Sequence, residues 1–432
     1  MSRRRGVDVI LGDLTPSSDK VDAERLTYPR LQSSAEYFDY PSLLLRNSAE
    51  LIKNFKAYKS SAPHEDIQIA ILLMAAHRLQ NSWFPPMKLF WSAQLTTRSV
   101  ALFGQPLMKD VAQIAVSELK YFETIADRHK NKREFFEPLL HAYRSLIRGK
   151  VNGEESIEVR YQPILEAVGK HFKQTYHAVL AVFDVYDLTS KIPPEEVVET
   201  FQRALHMLSN DDPAWTEWRV VLDDTAKLSV HIRTRTIRIG RYRNPLPAAE
   251  IKGLFAHEVL VHAQRSLRGA RISEELGRGL PGYLVAEEGL GVIVESAINA
   301  TISRKVIDRY IDIALALGGA FRLPYTRQDL FAVAYCREVA RALDAVAEID
   351  LVRLEQKVWE HINRIYRGSL GNRYVGVFTK DITYYSGFVK MGNYLLERSK
   401  KEPVAATIEY LLQGKFDPTV SAHRKLVNKR GD

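Results

Sequence analysis

Apolar residues recur at helical spacing along most of the chain. In the N-terminal half, apolar positions three and four residues apart predict helices, and intervening Pro and Ser residues mark their ends. The clearest of these stretches are residues 42–59, 66–83 and 106–150. Residues 28–185 are therefore predicted to form a helical lobe, and the polar, aperiodic residues 1–27 before it are predicted to be a flexible tail.

The periodicity changes from helical to alternating after residue 212. In "WRVVLDDTAKLSVHIRTRTIRIG", residues 218–240, apolar and polar positions alternate on both sides of "DDTAK", which predicts a hairpin or a short sheet. Pro247 and Glu250 then mark the start of a helix. The chain is helical again afterwards, so residues 186–425 are predicted to form a second lobe, and the fold class is α+β with helices predominating.

Composition narrows the class of protein. The 432 residues are 46% hydrophobic and 26% charged, which is typical of a globular chain that folds without covalent staples. The single cysteine, Cys336, excludes a disulfide framework and a cysteine-ligated metal. The N-terminus lacks the apolar core of a secretory signal, and no apolar run reaches the roughly 20 residues of a membrane span, so we expect a cytoplasmic protein. Its net charge of +9 favours anionic partners.

The stretch "FAHEVLVHAQRS" places two histidines and a carboxylate in one short predicted helix. His257 and Glu258 are adjacent, and His262 follows five positions after the first histidine. On an ideal α-helix, side chains five residues apart diverge by about 140°. Both imidazoles can therefore reach one metal ion only if the helix carries a one-residue bulge, a π-type distortion that is often found at functional sites. Without such a bulge, they are two unrelated histidines in an apolar helix.

A zinc peptidase needs a third protein ligand and a carboxylate that can act as a base. His257 and His262 are candidates for two ligands, with Glu258 as the base. Glu287 and Glu288 both stand at the start of an apolar helix and are candidates for the third. Paired carboxylates in such surroundings are costly unless a cation neutralises one of them, and a metal ion would do so.

With these motifs in hand, the chain resembles the family of microtubule-associated tyrosine carboxypeptidases, whose bacterial relatives carry a "QEGLA" motif. The resemblance rests on "HEVLVH", on "EEGLG" and on a C-terminal run "RIYRG...VFTKDITYYSG", and it covers roughly residues 160 to 425. It implies a gluzincin-like core, and the alternating pattern described above places a small β-sheet next to the metal-binding helix of that core. It also implies that Zn²⁺ is held by two histidines and a glutamate, and that a C-terminal aromatic residue is removed.

Carried over position by position, the resemblance makes His257, His262 and Glu288 the zinc ligands and Glu258 the general base. Tyr384 falls on the family's Tyr-x-x-Gly element and is the candidate donor to the oxyanion. The chain departs from the bacterial motif at two positions, where Glu287 replaces Gln and Gly291 replaces Ala. The extra carboxylate of Glu287 is expected either to raise a neighbouring pKa or to accept a hydrogen bond from a ligand.

A carboxypeptidase must also bind the free carboxylate of its substrate. Four cations lie in the C-terminal region that resembles the family, namely Arg364, Arg367, Arg373 and Lys380. The predicted function is therefore a zinc-dependent metallocarboxypeptidase that removes a C-terminal Tyr or Phe from a peptide or protein tail, which the basic charge suggests is acidic. Two alternatives stay open: a non-catalytic regulator or nucleic-acid-binding protein, and a zinc endopeptidase or aminopeptidase on the same site. No nucleic-acid motif favours the former.

Overall fold

The structure is a computed structural model that describes residues 85–147, 157–224, 228–232, 234–242, 245–318, 323–345, 350–367, 369 and 376–430. The predicted tail and the predicted helices at 42–59 and 66–83 lie outside the described residues. The helices predicted within 106–150 are confirmed as two helices, Met108–Arg128 and Arg133–Leu146.

The described residues are mostly helical, which agrees with the predicted class. The helices are α1 (Pro85–Phe103), α2 (Met108–Arg128), α3 (Arg133–Leu146), α4 (Ile157–Thr175), α5 (His177–Ala181), α6 (Pro194–Asp211), α7 (Ala248–Phe255), a π-helix (Ala256–Ala263), α8 (Gln264–Ile272), α9 (Glu274–Arg278), α10 (Leu284–Asn299), α11 (Arg304–Leu317), α12 (Arg327–Asp344), α13 (Leu351–Ile365), α14 (Ile382–Ser399), α15 (Val404–Leu411) and α16 (Ser421–Arg430). Short 3₁₀ helices lie at Lys130–Lys132, Pro213–Glu217 and Thr379–Asp381. No helix within the described ranges is long and apolar enough to cross a membrane.

The chain forms two compact units, and neither is continuous in sequence. Among the described residues, unit 1 contains 85–147 and 307–382, and unit 2 contains 157–306 and 383–430. This division differs from the predicted lobes of 28–185 and 186–425. The reason is that helices distant in sequence pack together: α3 contacts α12 within unit 1, and α4 contacts α10 within unit 2.

Unit 2 contains two small sheets. In the larger, β4 (Thr236–Gly240) lies between β2 (Arg219–Asp223), which is parallel to it, and β3 (Leu228–His231), which is antiparallel. The smaller pairs β1 (Lys191–Ile192) with β5 (Leu246–Pro247). The predicted short sheet is therefore confirmed. Within the described residues, β2 and β3, which flank "DDTAK" in the sequence, both pair with β4 and not with each other.

The helix predicted to start at Pro247 is confirmed and leads directly into the site. Pro247 is the N-cap residue of α7, and Glu250 lies in its first turn, where a carboxylate interacts favourably with the helix dipole. Phe255 closes this helix, fully buried, with its ring 5.0 Å from that of Phe201 and 5.1 Å from that of Phe183. This aromatic packing anchors the start of the π-helix.

Candidate metal centre

The histidine-bearing segment is a π-helix from Ala256 to Ala263. Its backbone hydrogen bonds join residues five apart, so side chains at that spacing come to the same face. The rings of His257 and His262 accordingly lie with their centroids 4.8 Å apart and their planes at 74°. The bulge that this histidine spacing requires for a common metal ion is therefore present.

Helix α10 brings a carboxylate to the two rings. Glu288 Oε2 lies 3.7 Å from His257 Nε2 and 3.6 Å from His262 Nε2. One donor atom from each of these three residues falls within 4.8 Å of the others. Of the two adjacent candidates for the third ligand, Glu288 is thus the one that lies beside both Nε2 atoms.

The outer nitrogens of both imidazoles contact carboxylates. His257 Nδ1 lies 2.8 Å from Glu295 Oε2, and His262 Nδ1 lies 2.9 Å from Glu287 Oε1. A carboxylate accepts hydrogen bonds, so each Nδ1 is assigned the proton, and each Nε2 keeps a lone pair for a metal. The expectation that Glu287 accepts a hydrogen bond from a candidate ligand is confirmed.

The donor set fits a zinc ion. Ligand atoms at about 2.0–2.2 Å from zinc in a tetrahedral arrangement are about 3.4 Å apart. The two separations from Glu288 are 3.6 and 3.7 Å, and all three donor atoms lie within 4.8 Å of one another, so small side-chain movements would bring them to one ion. Two neutral imidazole nitrogens and one carboxylate oxygen are also the ligands of many catalytic zinc sites, which leave a fourth position for water. His257, His262 and Glu288 would hold the ion.

Buried charges surround this donor set. Burial by itself lowers the pKa of His257, but the neighbouring carboxylates of Glu288 and Glu295 raise that pKa well above the usual value; a metal ion bound at Nε2 would take the place of the second proton. Burial raises the pKa of Glu258, although the neighbouring imidazoles act in the opposite direction. A carboxylate beside candidate metal ligands is placed to accept a proton from water.

Glu287 behaves differently from Glu258. Burial would raise its pKa, but the charges of Lys415 and Arg265 outweigh this effect and hold the pKa well below the usual range. Lys415 Nζ lies 3.0 Å from Glu287 Oε1, and Arg265 donates a hydrogen bond to Glu287 Oε2. Glu287 is thus a fixed anion that supports His262.

Two glycines of α10 permit close packing around the donors. A Cβ on Gly291 would lie 2.6 Å from His257 Nε2, closer than real Cβ contacts come. A Cβ on Gly289 would lie 2.2 Å from the carbonyl carbon of Gly387 on α14. Tyr384, the candidate oxyanion donor, is half-buried three residues before Gly387. It therefore lies on the helix that packs against the one carrying Glu288.

The predicted carboxylate-binding cations belong to unit 1 where they are described. Arg364 forms a hydrogen-bonded ion pair with Asp381, and the guanidinium of Arg367 lies 5.1 Å from the centroid of the Phe378 ring. Lys380 is half-buried in the 3₁₀ helix Thr379–Asp381. Arg373 lies outside the described residues. Their role in substrate binding stays a prediction.

The sequence did not single out three side chains near the donors. Glu295 had a usable signal, since it follows Glu288 by seven residues and so lies on the same face of a helix. Arg265 follows His262 by three residues and offered a weaker signal of the same kind. Lys415 had none, because its contact with Glu287 joins distant parts of the chain.

Two histidines, a glutamate and an adjacent carboxylate base define a candidate site of the metal-dependent hydrolase class. The family model described as microtubule-associated tyrosine carboxypeptidase matches residues 350–427. Over that segment the resemblance predicted from the sequence is confirmed. The matched segment includes Tyr384 and Lys415 but none of the three donor residues. Comparisons with curated proteins and with solved structures find no match.

Proposed function

We propose that this protein is a zinc-dependent metallocarboxypeptidase that removes a single C-terminal residue, Tyr or Phe, from a peptide or protein tail. The observation that carries the proposal is the donor cluster of His257, His262 and Glu288, whose ligand atoms lie within 4.8 Å of one another. The tyrosine carboxypeptidase match at residues 350–427 supports the reaction and the substrate class. A gluzincin-like core around the π-helix and α10 is part of the proposal.

Each side chain of the site has a separate role in the proposed reaction. Bound zinc would supply a Lewis acid and lower the pKa of water toward ~7. Glu258 accepts a proton from the attacking water and returns it to the amine of the released residue. Glu295 and Glu287 keep the two Nε2 atoms oriented through the Nδ1 contacts. Tyr384 is the proposed donor to the developing oxyanion.

Strand β3 is the proposed binding edge for the substrate backbone. It is an outer strand of its sheet, pairs with β4 in the part of the chain that the structure describes, and contacts the π-helix. An extended peptide can add to such an edge through main-chain hydrogen bonds. The tail would then run beside the helix that carries Glu258.

Recognition of the terminal carboxylate is assigned to Arg364, Arg367, Arg373 and Lys380. The net charge of +9 supports an acidic protein tail as the substrate.

The proposal is tested by zinc content and peptide cleavage measured on the same preparations. We expect about one zinc per chain in the wild type and a large loss in His257→Ala and His262→Ala. Glu258→Gln should keep its zinc and lose most hydrolysis, because the amide preserves the shape of the side chain but cannot act as a base. Full zinc in both histidine variants would refute the metal assignment.

The cleavage arm compares a peptide that ends in Tyr with its C-terminal amide. Loss of a charge-assisted carboxylate contact should cost about 2 to 3 kcal/mol, or roughly 30-fold to 100-fold in kcat/KM. Equal cleavage of both peptides, or internal cuts in both, would exclude a carboxypeptidase and favour an endopeptidase or aminopeptidase. Salt-sensitive nucleic-acid binding without stoichiometric zinc would favour the non-catalytic alternative.

A further inference from the structure

The segment that follows α15 reaches the carboxylate behind His262. Lys415 is only 6% exposed and Glu287 only 2%, and Lys415 Nζ lies 3.0 Å from Glu287 Oε1. Lysine is almost never fully buried unless it is paired. The contact therefore places a buried cation against Glu287, the carboxylate that contacts the candidate metal ligand His262.

Arg265 fixes both the carboxylate and the segment. Its Nη1 donates to Glu287 Oε2, and its Nε donates to the carbonyls of Leu411 and Gly414 at 2.9 and 2.8 Å. Its Nη2 donates to the carbonyl of Phe416 at 2.8 Å. With a relative exposure of 1%, Arg265 satisfies three buried carbonyls as well as one carboxylate oxygen.

The backbone of Lys415 is also held at both ends. Its N–H donates to the carbonyl of Leu276 at 2.8 Å, and its carbonyl accepts from the N–H of Leu280 at 2.9 Å. The ammonium group also lies 5.7 Å from the centroid of the Tyr283 ring. These contacts restrict the position from which the ammonium meets Glu287.

The two oxygens of Glu287 therefore have separate anchors. Oε2 accepts from Arg265, while Oε1 contacts both Lys415 and Nδ1 of His262. We propose that Lys415 is a positioning residue. It holds Glu287 in place, and Glu287 in turn orients the His262 ring so that Nε2 points to the metal position shared with His257 and Glu288. This inference rests on the proposed function in one respect, that Nε2 of His262 binds the metal. It gives the family-matched segment, which contains none of the donor residues, a part in the site.

If Lys415 acted only as a counter-ion to the carboxylates, its removal would change zinc affinity in the opposite direction. Removing a cation makes the surroundings of the donors more negative, and by Coulomb attraction alone this would strengthen metal binding. Removing an anchor from Oε1 instead leaves Glu287 held at Oε2 alone, so the His262 ring loses its fixed direction and metal binding weakens. The sign of the change in zinc affinity therefore separates the two roles.

The test measures zinc affinity by chelator competition at one pH in Lys415→Met and in a matched control, Lys390→Met. Lys390 forms its ion pair with Asp417 of the same segment and not with Glu287. Outer partners of metal ligands typically contribute 10-fold to 100-fold in affinity, so we expect about tenfold weaker zinc binding in Lys415→Met, and a change within about twofold in Lys390→Met. Lys415→Gln, which can still donate a hydrogen bond but has no charge, should lie nearer to the wild type.

A double-mutant cycle with Glu287→Gln tests the route of the effect. If Lys415 acts through the carboxylate, Lys415→Met should weaken zinc binding little further in the Glu287→Gln background. Unchanged or tighter zinc binding in Lys415→Met would overturn the proposal. Equal weakening in Lys390→Met would overturn it too, by showing that the contact with Glu287 has no special part.

A metal-free measurement keeps this inference separate from the proposed function. Imidazole ¹⁵N chemical shifts report which nitrogen of His262 carries the proton, and we expect them to move in Lys415→Met and to stay in Lys390→Met. Melting temperatures of the same metal-free samples show whether each variant is folded. A wild type that binds no zinc refutes the proposed function, whereas unmoved shifts in folded Lys415→Met refute the positioning role of Lys415.

Discussion

At the scale of single residues, the closest fit in the candidate site is between Gly291 and the His257 ring. A Cβ at position 291 would lie 2.6 Å from Nε2, 2.8 Å from Cδ2 and 2.9 Å from Cε1 of that ring. Nε2 is the atom offered to the metal, so an added methyl group displaces the donor itself. In a helix interior, however, alanine is more favourable than glycine by about 1 kcal/mol.

These two effects make Gly291→Ala a test of ring position. We expect zinc affinity to fall by about tenfold or more, while the melting temperature of the metal-free protein stays the same or rises. The control is Gly253→Ala, which adds a methyl group in α7 against the amide end of the Asn299 side chain, a group that can rotate away, and should leave zinc affinity unchanged. Full affinity in Gly291→Ala would contradict this expectation, because it would show that the ring can shift without losing the metal.

At this scale, the features that could be predicted from the sequence are those that depend on residues close together in the chain. The spacing of His257 and His262 indicated that a shared metal needs a bulge, and the bulge is present. The paired carboxylates offered two candidates for the third ligand, and the structure brings Glu288 to the rings. The carboxylate beside the outer nitrogen of His257 was harder to predict, because a helical face indicates Glu295 only after α10 is placed. Nothing local predicts Lys415, which contacts the carboxylate beside His262.

At the scale of elements, the position of Glu288 depends on how closely α10 and α14 approach. A Cβ on Gly289 would lie 2.2 Å from both the carbonyl carbon and the carbonyl oxygen of Gly387. In return, a Cβ on Gly387 would lie 2.2 Å from the carbonyl oxygen of Val285. Both contacts are with backbone, which cannot rotate away as a side chain can, so the helices would have to separate.

Gly289→Ala and Gly387→Ala should therefore each destabilise the protein, by about 3 kcal/mol at the upper end of overpacking. Zinc affinity should fall with stability, because Glu288 precedes Gly289. Once one methyl group has separated the helices, the second costs less, so the double variant should lose less than the sum of the two changes in unfolding free energy.

Gly392 provides a matched control on the same helix. A Cβ at Gly392 would meet the Tyr161 ring of α4 rather than α10. The pair Gly289→Ala and Gly392→Ala should therefore be close to additive in urea or thermal unfolding. Additivity in both pairs would mean that the contact between Gly289 and Gly387 does not set the spacing of the two helices.

At the scale of the whole molecule, local patterns predicted the helices but not how the helices are divided between the two compact units. The change of periodicity near residue 212 favoured two consecutive lobes, yet unit 1 takes residues 307–382 from the C-terminal half. Helical periodicity shows that a helix has an apolar face, but it does not show which other helix covers that face. The same limit applies to "DDTAK", where alternation predicted strands but not that β2 and β3 would both pair with β4.

Unit 1 also contains a buried network of charges that its sequence did not suggest. Arg337 donates to both oxygens of Asp312, at 2.9 and 2.6 Å, and His361 Nε2 lies 2.6 Å from the same carboxylate. Burial would raise the pKa of Asp312, but the charge of Arg337 and these hydrogen bonds lower it from 3.8 to about 2. Removing only one partner of such a buried ion pair strongly destabilises a protein.

Asp312→Asn should therefore destabilise the protein at neutral pH by about 3 kcal/mol, since Arg337 would keep its buried charge with less compensation. Because the pKa of Asp312 is lower in the folded state than in the unfolded state, its stabilisation is complete above about pH 4 and is lost as the pH falls toward about 2. The shift in pKa corresponds to about 2 kcal/mol. The difference in melting temperature between the wild type and Asp312→Asn should thus become smaller as the pH is lowered from 6 to 3.

The control is Asp127→Asn, which removes an exposed partner of Arg133. Its difference in melting temperature from the wild type should be small and should change little over this pH range. A difference for Asp312→Asn that is just as large at pH 3 would contradict the assignment of a depressed pKa to this carboxylate.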